Sequence, residues 1–152
     1  MVIIAHNIRS LHNVGAIFRS ADCFAAERIY LTGFTGTPPR PEIAKVALGA
    51  EDRVAWEAGE IFEVIDALKK AGYRIIALDN RPGAEPIAPV DEKVALLLGN
   101  EVDGIESTVL ALCDATVEIS MPGRKRSLNV AVATGIALFV LSATSGKMKA
   151  IC

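Results

Sequence analysis

The sequence predicts an α/β fold, a mostly parallel sheet flanked by helices, and three observations carry that expectation. Strand-like and helix-like segments alternate from one end of the chain to the other. The runs Ile75–Leu78 and Val94–Leu98 are apolar on both faces of a strand, the pattern of a parallel sheet covered by helices on each side. Strands also end abruptly in Leu78-Asp79-Asn80, Gly99-Asn100-Glu101 and Met121-Pro122-Gly123. The carboxyl ends of strands are where open α/β sheets bind their ligands, so three polar loops are expected along one edge.

Taken in order, Val2–Ala5 reads as a buried strand, and His6 to Asn13 as the polar loop that follows it. Ala16, Ile17, Phe18, Ala21, Cys23 and Phe24 give an apolar helix interrupted by Arg19 and Asp22, and Glu27–Leu31 returns to strand character. Thr32 to Pro41 is rich in Gly, Pro and Thr and is expected as loop; Glu42–Leu48 suits a short helix closed by Gly49, and Arg53–Trp56 a short strand. Ile61, Val64, Ile65 and Leu68 recur at helical spacing, with Lys69 and Lys70 favouring the negative end of the dipole and Gly72 closing the turn. Tyr73–Leu78 is a strand, Asp79 to Asp91 a loop with three prolines, Val94–Leu98 a strand, and Ser107–Leu112 a helix.

The last segment makes incompatible demands on the backbone and so cannot be one element. Val117, Ile119 and Met121 alternate with Glu118 and Ser120 as in a strand, and Pro122-Gly123 opens a loop carrying Arg124, Lys125 and Arg126. Ser127 is the expected N-cap of a helix over Leu128–Leu141, whose almost wholly apolar or small residues predict burial on most sides. Ser127 and Asn129 then fall in the first turn, where free N–H groups and the helix dipole favour an electron-rich ligand. A buried amide at Asn129 must also find partners.

Bulk properties exclude several classes. With 152 residues and 51% hydrophobic content the chain suits one domain, residues 1–152, with a sizeable core. A net charge of −2 and a pI near 5.7 argue against coating nucleic acid by bulk charge, although a local basic loop can hold a few phosphates. Cys23, Cys113 and Cys152 lack metal-ligand spacing and lie far from His6 and His12, so neither a metal site nor a disulfide framework is expected. No cleavage pattern precedes the first strand and the apolar run near Val130 is too short for a bilayer, giving a cytoplasmic expectation without membrane association. Neither a Gly-x-Gly-x-x-Gly turn nor a Walker-type lysine loop is present.

Three motifs, Asn13-Val14-Gly15-Ala16-Ile17-Phe18-Arg19, Leu98-Gly99-Asn100-Glu101 and Ser127-Leu128-Asn129-Val130-Ala131-Val132, occur in this order at predicted junctions. With them the chain resembles the SpoU (TrmH) family of RNA 2′-O-ribose methyltransferases, in the SPOUT superfamily, over nearly its whole length. The resemblance implies a C-terminal deep trefoil knot, S-adenosylmethionine as methyl donor, a homodimer and an RNA substrate, with transfer RNA favoured over ribosomal RNA. It also implies a catalytic set of Asn13, Arg19, Glu101, Ser127 and Asn129. The cofactor site would be Ala77 or Leu78, Leu98, Gly99, Asn100, Ile119, Met121, Ser127 and Leu128, with no metal. Arg9, Arg19, Arg124, Lys125 and Arg126 would hold RNA.

Elementary chemistry agrees with these assignments. Gly99 permits close backbone approach, and Ile119, Met121 and Leu128 offer an apolar slot for a flat base. Asn13 also suits a cap of the first helix and Glu101 a carboxylate at a helix start, roles compatible with a site. A guanidinium, with an ordinary pKa of roughly 12.5 or more, serves better at Arg19 as a phosphate clamp than as a base. The chain departs from the family at Val102, where many relatives have glycine, and it starts at the first strand, so no N-terminal RNA-recognition extension is expected. A non-catalytic RNA- or cofactor-binding knot protein is the alternative. A small-molecule methyltransferase fits less well, because a neutral substrate needs no clamp such as Arg124-Lys125-Arg126.

Overall fold

The computed structural model describes residues 1–143, so Cys152 lies outside the described residues. The elements follow as β1 (Val2–His6), α1 (Leu11–Cys23), β2 (Arg28–Thr32), α2 (Pro41–Ala47), α3 (Ala50–Arg53), β3 (Trp56–Gly59), α4 (Ile61–Lys70), β4 (Arg74–Leu78), β5 (Glu85–Pro86), β6 (Val94–Leu98), α5 (Ser107–Leu110), β7 (Ala115–Glu118) and α6 (Val130–Ser142). Seven strands form one sheet in the order β3-β2-β1-β6-β4-β7-β5, and every pairing is parallel.

Burial explains why the central strands are so apolar. All five residues of β6 and all of β1 are buried, and successive side chains enter opposite layers. Ile3, Leu96 and Ile76 join the core beneath α1, α2, α3 and α6, whereas Ile4, Leu97 and Ile75 join the core beneath α4 and α5. The helices α1 and α6 lie side by side and run in the same direction: Asn129 meets Asn13, Gly135 faces Ser20, and the Phe139 ring packs edge-on to Phe24 at 6.4 Å between centroids.

Five expectations from the sequence do not hold. Asp79 to Asp91 is not wholly loop, since Glu85–Pro86 forms β5 against β7. Arg53–Trp56 is not a strand; Gly49, at φ 85, instead opens the short helix α3, and the strand follows at Trp56–Gly59. The first helix starts at Leu11, because the Ser10 hydroxyl caps it by accepting from Asn13 N–H at 3.3 Å, which moves Asn13 into the first turn. The last helix starts at Val130, and its cap is Asn129 rather than Ser127. The Asn129 Oδ1 takes the N–H groups of Ala131 and Val132 at 2.8 and 3.3 Å, leaving Ser127 in the loop before it. Nor is α6 buried on most sides: Val132, Ile136 and Phe139 form an exposed apolar face, which composition alone could not distinguish from core.

Candidate functional site

Three chain segments meet above the carboxyl ends of β1, β6 and β7, and one carboxylate joins them. Glu101 stands in the turn after β6, where Gly99 lets the chain bend sharply; a Cβ on Gly99 would lie 2.8 Å from the Gly104 carbonyl oxygen and 2.4 Å from an Ile105 side-chain carbon. The turn is closed by paired bonds between Asn100 and Gly104, each 3.0 Å, and by the Asn100 side chain, whose Nδ2 donates to the Asn7 carbonyl at 2.9 Å. Glu101 then accepts from Arg9 N–H at 3.1 Å, Ser10 N–H at 3.3 Å and the Asn13 amide at 2.8 Å. The Asn129 Nδ2 in turn donates to Asn13 Oδ1 at 3.0 Å. Asn13, Glu101 and Asn129, separated by up to 116 positions, thus form one chain of hydrogen bonds.

Donors surround the carboxylate, and its acidity reflects them. Partial burial pushes the Glu101 carboxyl upward, but the N–H of Arg9, the Asn13 amide, its own N–H and that of Ser10 outweigh burial, so the group titrates below its ordinary value.

Beside this chain of bonds opens a cavity of about 310 Å³. Of the expected cofactor residues, Leu78, Leu98, Gly99, Asn100, Ile119, Met121, Ser127 and Leu128 line it, as does Glu101. Ala77 does not; it is fully buried in the sheet one residue before Leu78. Strand β7 ends at Glu118, so Ile119 and Met121 reach the cavity from a loop. The Asn80 amide donates to the Arg126 carbonyl and ties the loop after β4 to the basic loop. Asp79, Asp103 and Glu118 add carboxylates to the lining, residues that sequence reasoning does not single out, although Asp79 lies in one of its three loops.

Not every expected residue comes to this place. Arg124 and Lys125 are exposed beyond the cavity wall, and Arg126 contributes to it. Arg19 is exposed near the middle of α1, about 9 Å along the helix from Asn13 at ~1.5 Å per residue. It does not line this cavity, and it has no ion pair among the described residues. No group of three or more His, Cys, Asp or Glu among the described residues is arranged to hold a metal ion, and no described helix is long and apolar enough to cross a membrane.

Comparison with known proteins decides the family. The model of the SpoU rRNA Methylase family matches residues 1–139. The chain belongs to the SpoU family. It is similar to the 23S rRNA (guanosine-2′-O-)-methyltransferase RlmB of Xanthomonas axonopodis pv. citri, at 32% identity over 91% of this chain and 57% of that protein. Among solved structures it is similar to the AdoMet-bound rRNA methyltransferase of Sinorhizobium meliloti, with TM-score 0.87 and 29% identity over 93% of this chain and 55% of the other. It is also similar to the TrmH/SpoU tRNA modifying enzyme of A. aeolicus, with TM-score 0.85 and 26% identity over 95% and 76% of the two chains. The chain spans a little over half the length of the curated SpoU relatives it matches.

Proposed function

We propose that the protein is an S-adenosylmethionine-dependent RNA 2′-O-ribose methyltransferase. The observation that carries this reading is the hydrogen-bonded set Asn13–Glu101–Asn129 at the mouth of a cavity walled by residues of the second and third family motifs. The cavity suits the cofactor chemically. Ile119, Met121, Leu78 and Leu128 offer apolar surface to a flat base, and Gly99 lets backbone groups approach it. The carboxylates of Glu101, Asp103 and Glu118 favour a cationic ligand, as a sulfonium is, while Asp79 is paired with Arg81.

When bound, S-adenosylmethionine supplies an electrophilic methyl group to the 2′-oxygen. The chain's own part is positioning. Glu101, fixed by two backbone N–H groups, orients Asn13, and Asn13 orients Asn129, so the polar groups beside the ribose are held before RNA arrives. Ser127 extends this polar wall from the loop. Arg9, Arg124, Lys125 and Arg126 then supply phosphate contacts around it.

The reading includes a homodimer and a C-terminal knot. The exposed Val132, Ile136 and Phe139 face favours a two-fold interface along α6. Arg19, standing on α1 next to α6 and away from the cavity of its own chain, would act at that interface as a clamp on RNA. For the knot, the support is topological: β7 pairs between β4 and β5, and therefore runs inside the stretch of chain that leads from β4 through β5 to β6. Ribosomal RNA is the substrate class of the RlmB and Sinorhizobium relatives and transfer RNA that of the A. aeolicus one, and this reading takes either.

The test is direct. The purified protein, total RNA from cells lacking the gene and methyl-labelled S-adenosylmethionine should yield label on a 2′-oxygen at a defined position. Tight cofactor binding without transfer to any RNA would favour the non-catalytic reading instead.

A further inference from the structure

A second cavity, of about 380 Å³, opens beside the first, where the loops after β1 and β2 approach each other. Asn7, Arg9, Phe34 and Glu106 line it, and Asn100, Asp103 and Gly104 line both cavities, so the two share a wall. The local backbone is shaped for this approach. Asn7 sits at φ 57 and Gly33 at φ 64, and a Cβ on Gly33 would lie 1.9 Å from Asn7 Oδ1. Only glycine lets the loops close on each other there.

The hydrogen bonds leave a defined set of groups for a ligand. Asn7 is fully engaged: its Oδ1 accepts from Phe34 N–H at 3.1 Å, while its Nδ2 donates to Glu106 Oε1 at 2.8 Å and lies 3.0 Å from His6 Nε2. These bonds, with His6 Nε2 lying 3.2 Å from Glu106 Oε2, hold Phe34 and Glu106 in place without covering them. Phe34 is 60% exposed, and the Glu106 side chain 52% exposed. The Arg9 N–H is bound to Glu101, but its guanidinium has no partner among the described residues. What remains is an aromatic face, acceptor-only carboxylates with spare lone pairs at Glu106 and Asp103, and a free cation.

A ligand matching all three is flat, carries an anion and presents N–H donors side by side. Guanine has N1–H and N2–H adjacent on one edge, fitting the two oxygens of a carboxylate. Uracil has a single N–H between two carbonyls that a carboxylate repels, and adenine and cytosine set one amino group beside a bare ring acceptor. An aromatic side chain is the usual platform for a base splayed from single-stranded RNA.

We propose that this second cavity is a base-reading subsite for an unstacked guanine of the RNA, its ring on Phe34, its N1–H and N2–H on the Glu106 carboxylate, and an adjoining phosphate on Arg9. The inference rests on the methyltransferase reading, and the shared wall puts that guanine at, or one nucleotide from, the reacting ribose.

The experiment first maps the methylated position in total RNA, then uses a short RNA of that site in which each guanine within one nucleotide is replaced in turn by A, C or U. With the parent protein, one replacement should lower kcat/KM by roughly 10-fold or more. Glu106→Gln keeps an acceptor for Asn7 but places a donor against the base, so the preference for guanine should fall about 10-fold while cofactor affinity stays constant. Phe34→Ala should lower kcat/KM by roughly 10-fold for every RNA, again without change in cofactor affinity. Transfer that is indifferent to those guanines, or a guanine preference unchanged in both variants, would overturn the subsite and leave the methyltransferase reading intact. Absence of transfer to any RNA by the parent would overturn that reading, and the subsite with it.

Discussion

The two edges of the sheet treat charge in opposite ways. Toward the amino-terminal edge, cations and carboxylates pair: Arg28 with Glu57 at 2.6 Å, Lys69 with Asp114 at 3.0 Å and Arg74 with Glu92 at 2.8 Å. At the carboxyl edge, Arg81 pairs with Asp79, but the side chains of Arg9, Arg124, Lys125 and Arg126 have no partner among the described residues. The carboxylates of Glu101 and Glu106 there are tied to backbone N–H groups, amides and the His6 ring rather than to lysine or arginine. Exposed pairs add at most about 1 kcal/mol each, so the first edge gains little beyond neutrality. The second keeps cations free and carboxylates oriented, which the fold does not require and which the proposed anionic substrate beside a cationic cofactor does.

The largest effect is expected where that second edge is most tightly organised. Glu101→Gln turns an NH2 group toward N–H donors of Arg9, Ser10 or Asn13, so the Asn13–Glu101–Asn129 set loses its geometry. Turnover should fall roughly 10²- to 10³-fold, with cofactor affinity far less affected. Its pH dependence follows from the depressed folded value. The stabilisation from a deprotonated Glu101 is present above the ordinary 4.5 of the unfolded chain and is lost as pH falls through the lower folded value. The difference in melting temperature between parent and variant should therefore shrink on acidification; a difference that grows would contradict the assigned donors.

Next in size is the basic loop. Replacing Arg124 and Lys125 together by alanine should weaken RNA binding and make the dependence of log K on log salt shallower by roughly 0.7 for each phosphate no longer held. Neither residue lines the cavity proposed for the cofactor, so cofactor affinity should not move. Arg74→Ala at the paired edge is the contrasting change, expected to leave the salt slope untouched and to cost less than about 1 kcal/mol in chemical denaturation. Equal salt slopes for the two variants would erase the distinction between the edges.

How much of this is legible in the sequence depends on the kind of signal. The continuous apolar runs in β4 and β6 announce buried parallel strands, and the loops at Leu78, Gly99 and Met121 converge on one cavity. The cap of α6 is misplaced from sequence because Ser127 and Asn129 are both good caps, and only the bonds from Ala131 and Val132 choose between them. The exposed face of α6 is hidden because nearly every residue of that helix is apolar or small, so no periodicity separates core from surface. The motif around Arg19 points it toward the site, but where it stands on α1 depends on helix phase relative to Asn13. Glu106, Asn7 and Phe34 give no signal at all, since their juxtaposition spans 99 positions and depends on a positive φ at a residue other than glycine.

The smallest effect sharpens the comparison from the amino-terminal side, at Tyr73. Its hydroxyl donates to Glu27 Oε2 at 2.7 Å, and Lys93 stands 5.6 Å from the centre of its ring. The hydrogen bond to Glu27, then burial, then the charge of Glu27 push the phenol up to about 12. A raised value means that the stabilisation is fully present below the unfolded value near 10 and is lost as pH rises through about 12. Phenolate absorbance should therefore include a late step, and Tyr73→Phe should remove it. The same variant should lose less than about 1 kcal/mol at neutral pH, because the bond is partly exposed and water replaces it. RNA methylation and its salt dependence should be those of the parent, since the proposed RNA site lies at the opposite edge. A Tyr73 phenol that titrates near 10 in the folded protein would mean that the bond to Glu27 is not maintained, and that the edge is less closed than its pairing implies.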